Sequence, residues 1–284
     1  MGGVSTESLA ALAMLGSAIF HAGMTFYTKR ADDKLVFRAL SVTASAILFL
    51  PIVFLNPIPP LEVWYFLLFG AVLVWVFNML MISAFERGDM NLVYPVMRGA
   101  APALAAIAAF FFLKESQPLI AIVGLGIASL ALLAFAWPEK GGAPKMSAIG
   151  FALGCAVMTA GYSVNDAAGV RLLEDPLTYA AWFFVLNAIT LSLTAIIRRG
   201  RNILNPVRAT IRLAAATSIF NFGTYSLALY AYANAPVAQM AAIRETSFVF
   251  GAILSAVVLK ESFGIKRLIL AICLAAGLVL LQTG

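Results

Sequence analysis

The chain falls into ten long apolar stretches with short polar breaks between them. They cover 9–28, 35–55, 62–85, 92–113, 118–137, 146–168, 177–197, 212–233, 237–259 and 266–282. Each is close to the roughly 20 residues that carry an α-helix across a hydrocarbon core. Apolar residues run continuously within each stretch instead of alternating with period two, which excludes a membrane β-barrel. The breaks have physical causes. Lys29-Arg30-Ala31-Asp32-Asp33-Lys34 is too polar for lipid, and Asn56-Pro57-Ile58-Pro59-Pro60 cannot continue a helix. Glu86-Arg87-Gly88-Asp89 makes a polar turn, and Pro138 to Lys145 combines breakers with charges. Arg198 to Arg212 is the longest and most basic connection. No connection is long enough for a domain of its own, so any chemistry must come from within or between helices.

An internal repeat organises these stretches. Tyr94 to Ser116 aligns without gaps on Met240 to Ser262 at an offset of 146, with seven of 23 positions identical. Arg98 falls on Arg244, Ala106-Ile107 on Ala252-Ile253, and Leu113-Lys114-Glu115-Ser116 on Leu259-Lys260-Glu261-Ser262. A weaker echo joins the first and sixth stretches, where Gly16-Ser17-Ala18 matches Gly154-Cys155-Ala156 and Ala22-Gly23 matches Ala160-Gly161. The halves are residues 1–140, an N-terminal five-helix repeat, and 141–284, a C-terminal one. Five is odd, so the second half enters the membrane from the opposite side. The expected fold is an all-α membrane protein of ten transmembrane helices, built as two inverted-topology five-helix repeats. That arrangement is common among secondary transporters.

Composition agrees. Of 284 residues 62% are apolar and 11% charged, with a mean hydropathy of +0.96. So few charges cannot cover a soluble fold of this size. A cytosolic enzyme, a disulfide scaffold and a disordered chain are thereby excluded. The net charge of +6 does not point to nucleic acid, because the basic residues sit in the connections. Fifteen fall on the side opposite the termini and two, Lys114 and Arg171, on the terminal side. The positive-inside rule then places both termini outside the cytoplasm, in a multi-pass protein of the cytoplasmic (inner) membrane. The segment Met1 to Ser8 has no basic run, so the first stretch reads as a span and not as a cleaved leader. Cys155 and Cys273 lie inside apolar stretches and read as small buried thiols.

The repeated Leu-Lys-Glu-Ser ending and the segment Val93-Tyr94-Pro95-Val96-Met97-Arg98-Gly99-Ala100-Ala101-Pro102 resemble the EamA family of the drug/metabolite transporter superfamily. The resemblance covers nearly the whole chain. It implies a central cavity lined by the first, third, fourth, sixth, eighth and ninth spans, with the fifth and tenth peripheral. It also implies export as the direction of transport, and termini drawn on the cytoplasmic side, against which the charge count stands. The second half departs from the first: Ile243-Arg244-Glu245-Thr246 stands where the first has its Arg-Gly-Ala-Ala run. The half-sites are therefore not chemically equivalent.

Arg98 and Arg244 lead the candidate substrate-binding residues. An intramembrane arginine costs about 2.5 kcal/mol or more. Two at equivalent positions suggest a cationic pair clamping a carboxylate, phosphate or phosphonate; the structural alternative is snorkelling or pairing with carbonyls. Glu245 points about 100° away from its neighbour Arg244 on a helix, so pairing across the cavity with Arg98 is one reading. A proton-coupling role is the other reading. His21 is the lone histidine, and it reads as a packed side chain, a cavity contact or a proton relay. Asn78 and Asn221 are amides within spans that hold helices together or bind substrate. Tyr94, Tyr162 and Tyr225, with Trp75 and Tyr230, offer aromatic walls or interfacial anchors. Asp166, near the end of its span, reads as a cavity-mouth or solvated residue. The Lys114-Glu115 and Lys260-Glu261 pairs read as interface anchors or salt-bridge locks. Gly124, Gly126, Gly150, Gly154 and Gly277 suit close helix packing.

There is no catalytic set, metal-ligand spacing or cofactor motif in the sequence. The expectation is a secondary transporter, not an enzyme, working by alternating access on a small anionic or zwitterionic metabolite. Its partners would be the substrate and membrane lipids, with proton or ion coupling, no nucleic acid and no cofactor, as a monomer or homodimer. The rivals are a lipid-linked flippase and a membrane accessory subunit without transport.

Overall fold

The computed structural model describes residues 5–29, 31–88, 90–135, 146–247, 249–250 and 265–283. Ten α-helices are found among them: α1 (Thr6–Lys29), α2 (Lys34–Leu55), α3 (Leu61–Arg87), α4 (Met90–Leu113), α5 (Leu119–Phe135), α6 (Met146–Val170), α7 (Pro176–Arg199), α8 (Leu204–Asn234), α9 (Val237–Arg244) and α10 (Ile265–Thr283). No strand occurs among the described residues. The helices α1, α2, α3, α4, α6 and α7 contain segments both long and apolar enough to cross a membrane; α5 and α10 carry shorter apolar segments. The chain is a multi-pass membrane protein. The Pro138–Lys145 connection, Ala252-Ile253 and the second Leu259–Ser262 motif with its Lys260-Glu261 pair lie outside the described residues.

Two expected boundaries differ. The basic connection at 198–212 is mostly ordered backbone: a 3₁₀ turn over Gly200–Ile203 leads directly into α8, which starts eight residues before the apolar stretch does. The ninth stretch is interrupted. Helix α9 ends at Arg244, Glu245 and Thr246 form a tight turn, and helical backbone resumes at Ser247.

The helices gather into two compact units. One takes residues up to Trp75 and Asn165–Asn234; the other takes Val76–Val164 and the chain from Ala235. Helices α3 and α6 supply residues to both, and each unit draws on both sequence halves.

In the first unit α2 and α7 are pinned at both ends. Arg199 donates from Nε to Asp33 Oδ2 (2.6 Å) and from Nη2 to Asp33 Oδ1 (3.2 Å). At the other end Asn56 donates to Asp175 Oδ2 (2.9 Å) and to Thr178. Asp33 also caps α2 through the Val36 amide. Partial burial pushes the Asp33 carboxyl up, but the Arg199 bonds, the Val36 amide and the Arg199 charge outweigh this and hold it below the usual range. Phe49 stacks between Phe184 and Phe222 at ring distances of 5.1 and 4.5 Å. In the second unit α5 and α10 touch at glycines: a side chain on Gly124 would strike the Gly277 carbonyl, and the reverse. Gly126 and Gly150 face open space, so their expected packing role is not seen.

Candidate functional site

Among the described residues, the second unit holds three charged side chains in its interior. Arg98, on α4, is buried and donates from Nη1 to Glu245 Oε1 at 3.2 Å. Its guanidinium lies 5.3 Å from the ring centre of Tyr94, one turn earlier. Arg244, the last residue of α9, is also buried. It donates from Nη2 to Tyr162 Oη (3.4 Å) and Ser163 Oγ (3.5 Å) on α6, and lies 5.6 Å from the Tyr162 ring centre. Tyr162 is held edge-on by Phe77 of α3. Ala105, Ala160 and Ala241 pack together from α4, α6 and α9, and their small size lets these helices approach.

Backbone irregularity accompanies each arginine. Pro102 in α4 has no N–H for the Arg98 carbonyl four residues earlier. After Arg244 the ladder tightens: Glu245 N–H bonds Ala242 O and Thr246 N–H bonds Ile243 O, each a three-residue step. The break leaves polar atoms inside. Glu245 Oε2 and Ser247 Oγ are buried without a hydrogen-bond partner among the described residues. Irregular backbone at membrane depth is tolerated where it is enclosed by protein or lines a polar space.

The first repeat's Leu-Lys-Glu-Ser motif bears on the same helix. Lys114 ends α4 in the left-handed region (φ 59°), and Glu115 N–H turns back onto Ala109 O. Glu115 Oε2 then accepts the Val237 amide at 2.8 Å. A motif read as an anchor or lock thus caps the first turn of α9, whose other end carries Arg244.

The family model described as the EamA-like transporter family matches this chain twice, over residues 8–140 and 146–283. The chain belongs to the EamA-like transporter family. It is therefore a membrane transporter of the drug/metabolite type, in a family of transporters and not of enzymes. A comparison with curated protein sequences finds no match. Among 29 matching solved chains is one described as "Crystal structure of protein", with a TM-score of 0.75 and 16% identity, covering 96% of this chain and 98% of that one. At that identity the likeness concerns the fold alone.

Within this EamA-like chain the candidates divide between the units. Arg98, Arg244, Glu245, Tyr94, Tyr162 and the buried Asn78 belong to the second. His21, Asn221 and Tyr225 belong to the first. Asn221 is buried and donates to Ser41 O (3.4 Å) and Ser45 Oγ (3.1 Å), a bond set that ties α8 to α2. His21 is half-buried on α1. Trp75 donates to Thr194 on α7.

Asp166 departs from its expected place. It is buried, not solvated. Its Oδ1 accepts from Tyr179 (3.1 Å) and its Oδ2 from Tyr225 (2.7 Å). Neither tyrosine is near it in sequence, so position along the stretch carried no sign of the pairing.

Proposed function

We propose that this protein is a secondary transporter with ten spans in two inverted five-helix repeats. It moves a small anionic or zwitterionic metabolite across the cytoplasmic membrane by alternating access, as an exporter with both termini outside the cytoplasm. The observation that carries the reading is the interrupted ninth stretch, with Arg244, Glu245 and Ser247 buried at the break. The two-arginine clamp narrows to Arg244, because Glu245 Oε1 already answers Arg98. Arg244 makes two long bonds to the neutral hydroxyls of Tyr162 and Ser163. A cargo carboxylate outcompetes a hydroxyl for a guanidinium because both partners are charged and the contact is bidentate. A cargo ammonium has acceptors in Glu245 Oε2 and Ser247 Oγ. Tyr94 and Tyr162 give the site its aromatic walls.

The test is counterflow into proteoliposomes loaded in turn with succinate, phosphate, L-alanine or tetraethylammonium. The expected result is exchange of a carboxylate-bearing compound that is lost in Arg244→Gln. Exchange confined to tetraethylammonium overturns the anion reading. A phosphatase fused to the C-terminus checks orientation: activity in intact cells is expected, and a cytoplasmic C-terminus contradicts the charge count.

A further inference from the structure

The Asp166 carboxyl is enclosed by three helices besides its own. Helix α7 contributes Tyr179, fully buried; α8 contributes Tyr225, which keeps some surface; α3 contributes Gly70. Tyr179 and Tyr225 are titratable groups that bond it from these elements. On its own helix Asn165 donates to the Phe66 carbonyl (2.9 Å) and sits 3.5 Å from Asp166 Oδ1. Arg171, five residues on, donates to Tyr232 O. The enclosure is shaped for this acid. A side chain on Gly70 would come within 2.9 Å of Asn165 Nδ2 and 3.4 Å of Asp166 Oδ1, and one on Gly169 would strike the Tyr179 ring. Tyr225 is fixed by stacking on Phe183 at 4.1 Å and by the edge of Phe184.

An acid inside a transmembrane bundle is expensive and calls for a role. The phenols narrow that role. A guanidinium only donates, so protonating its carboxylate partner leaves a buried cation facing a neutral group. A phenol hydroxyl donates or accepts, so it serves either form of the acid. We propose that Asp166 is a proton-binding site, which takes up and releases a proton on Oδ2. On uptake an O–H bond forms at Oδ2 with a proton from water. Tyr225 turns its own hydrogen outward and accepts from the new acid; on release both steps reverse. Tyr179 keeps donating to Oδ1 throughout. For transport, this proton is the coupling ion; only that consequence rests on the transport reading.

The experiment is infrared difference spectroscopy of the purified full-length protein in lipid, between acid and neutral pH, with no cargo. The expected result is a carbonyl band of a protonated carboxylic acid that is lost in Asp166→Asn and kept in Glu245→Gln. In Tyr225→Phe, which retains the acid, the band moves to higher wavenumber because the acid's O–H has lost its acceptor. If Asp166→Asn does not fold, the Tyr225→Phe shift decides. No such band, a band unmoved by Tyr225→Phe, or a band lost in Glu245→Gln overturns the proposal. A purely structural carboxylate shows no pH-dependent band. Failure here leaves the cargo reading intact, because counterflow judges that separately.

Discussion

Glu245 and Asp166 are both buried acids in apolar surroundings, yet each compact unit answers its acid differently. The second unit meets Glu245 with the guanidinium of Arg98; the first meets Asp166 with two phenols. A guanidinium is always charged and only donates, so the Arg98–Glu245 contact works as an ion pair that closes α4 onto the break after α9. Hydroxyls tolerate a change of charge. The same residue class can therefore serve as a counter-ion in one unit and as a titrating group in the other. What separates them is the donor opposite, not the acid or its depth. The fixed pair also leaves Arg244 as the guanidinium whose hydroxyl contacts a cargo anion can replace.

The largest effect is expected from breaking the fixed pair. Arg98→Ala or Glu245→Ala should lower stability by about 3–5 kcal/mol, because each leaves an uncompensated buried charge. Replacing both by apolar residues of similar volume, Arg98→Met with Glu245→Leu, should recover most of it. Thermal unfolding of the purified variants checks this; single substitutions without effect would mean that the pair is not the lock described. Next comes the enclosure of Asp166. Gly70→Leu should cost about 1–3 kcal/mol by overpacking against Asn165 and the carboxyl, while Gly126→Leu, facing open space, should be near neutral.

A smaller effect is expected at Asp33, where an acid meets an arginine at a helix end. Its folded carboxyl titrates below the unfolded one, so its contribution is present above about pH 4 and is lost as pH falls through the folded value. Asp33→Ala should remove about 1 kcal/mol at neutral pH, mostly the α2 cap, since Arg199 is partly exposed. The difference from the parent should vanish in acid. A difference that persists at acid pH would assign the effect to packing. The smallest effect runs the other way: Lys114→Gly should stabilise by about 1 kcal/mol, since glycine carries no penalty in the left-handed region. An unchanged midpoint for Lys114→Gly would show that the turn is not strained.

Much of the architecture was legible because each helix had to bury an apolar run of its own length. All ten apolar stretches contain a described helix. The Arg98–Glu245 pair was one of two readings open to Glu245, since helix geometry set aside the adjacent Arg244 but left proton coupling as the other. Three features were not. The break after Arg244 falls at Glu245-Thr246, which contain neither glycine nor proline, so no local signal marks it. Glu115 looked like an end-of-helix charge, and only the return of the chain at Val237 gives it a backbone amide to cap. The burial of Asp166 depends on tyrosines 13 and 59 residues away and on glycines that make room for them. Local pattern reports what a residue is next to along the helix; these roles are set by what stands across from it.

The division between a fixed pair and a receptive arginine is tested most directly by ligand-dependent thermal stabilisation. The parent, Arg244→Gln and the Arg98→Met/Glu245→Leu variant would be titrated in parallel with succinate and L-alanine. A ligand at 100 times its dissociation constant should raise stability by about 2.7 kcal/mol. The account predicts that a carboxylate-bearing compound stabilises the parent and the double variant, and that Arg244→Gln abolishes the effect. Stabilisation that survives Arg244→Gln but disappears in the double variant would contradict it, and would make Arg98 the residue that holds the cargo.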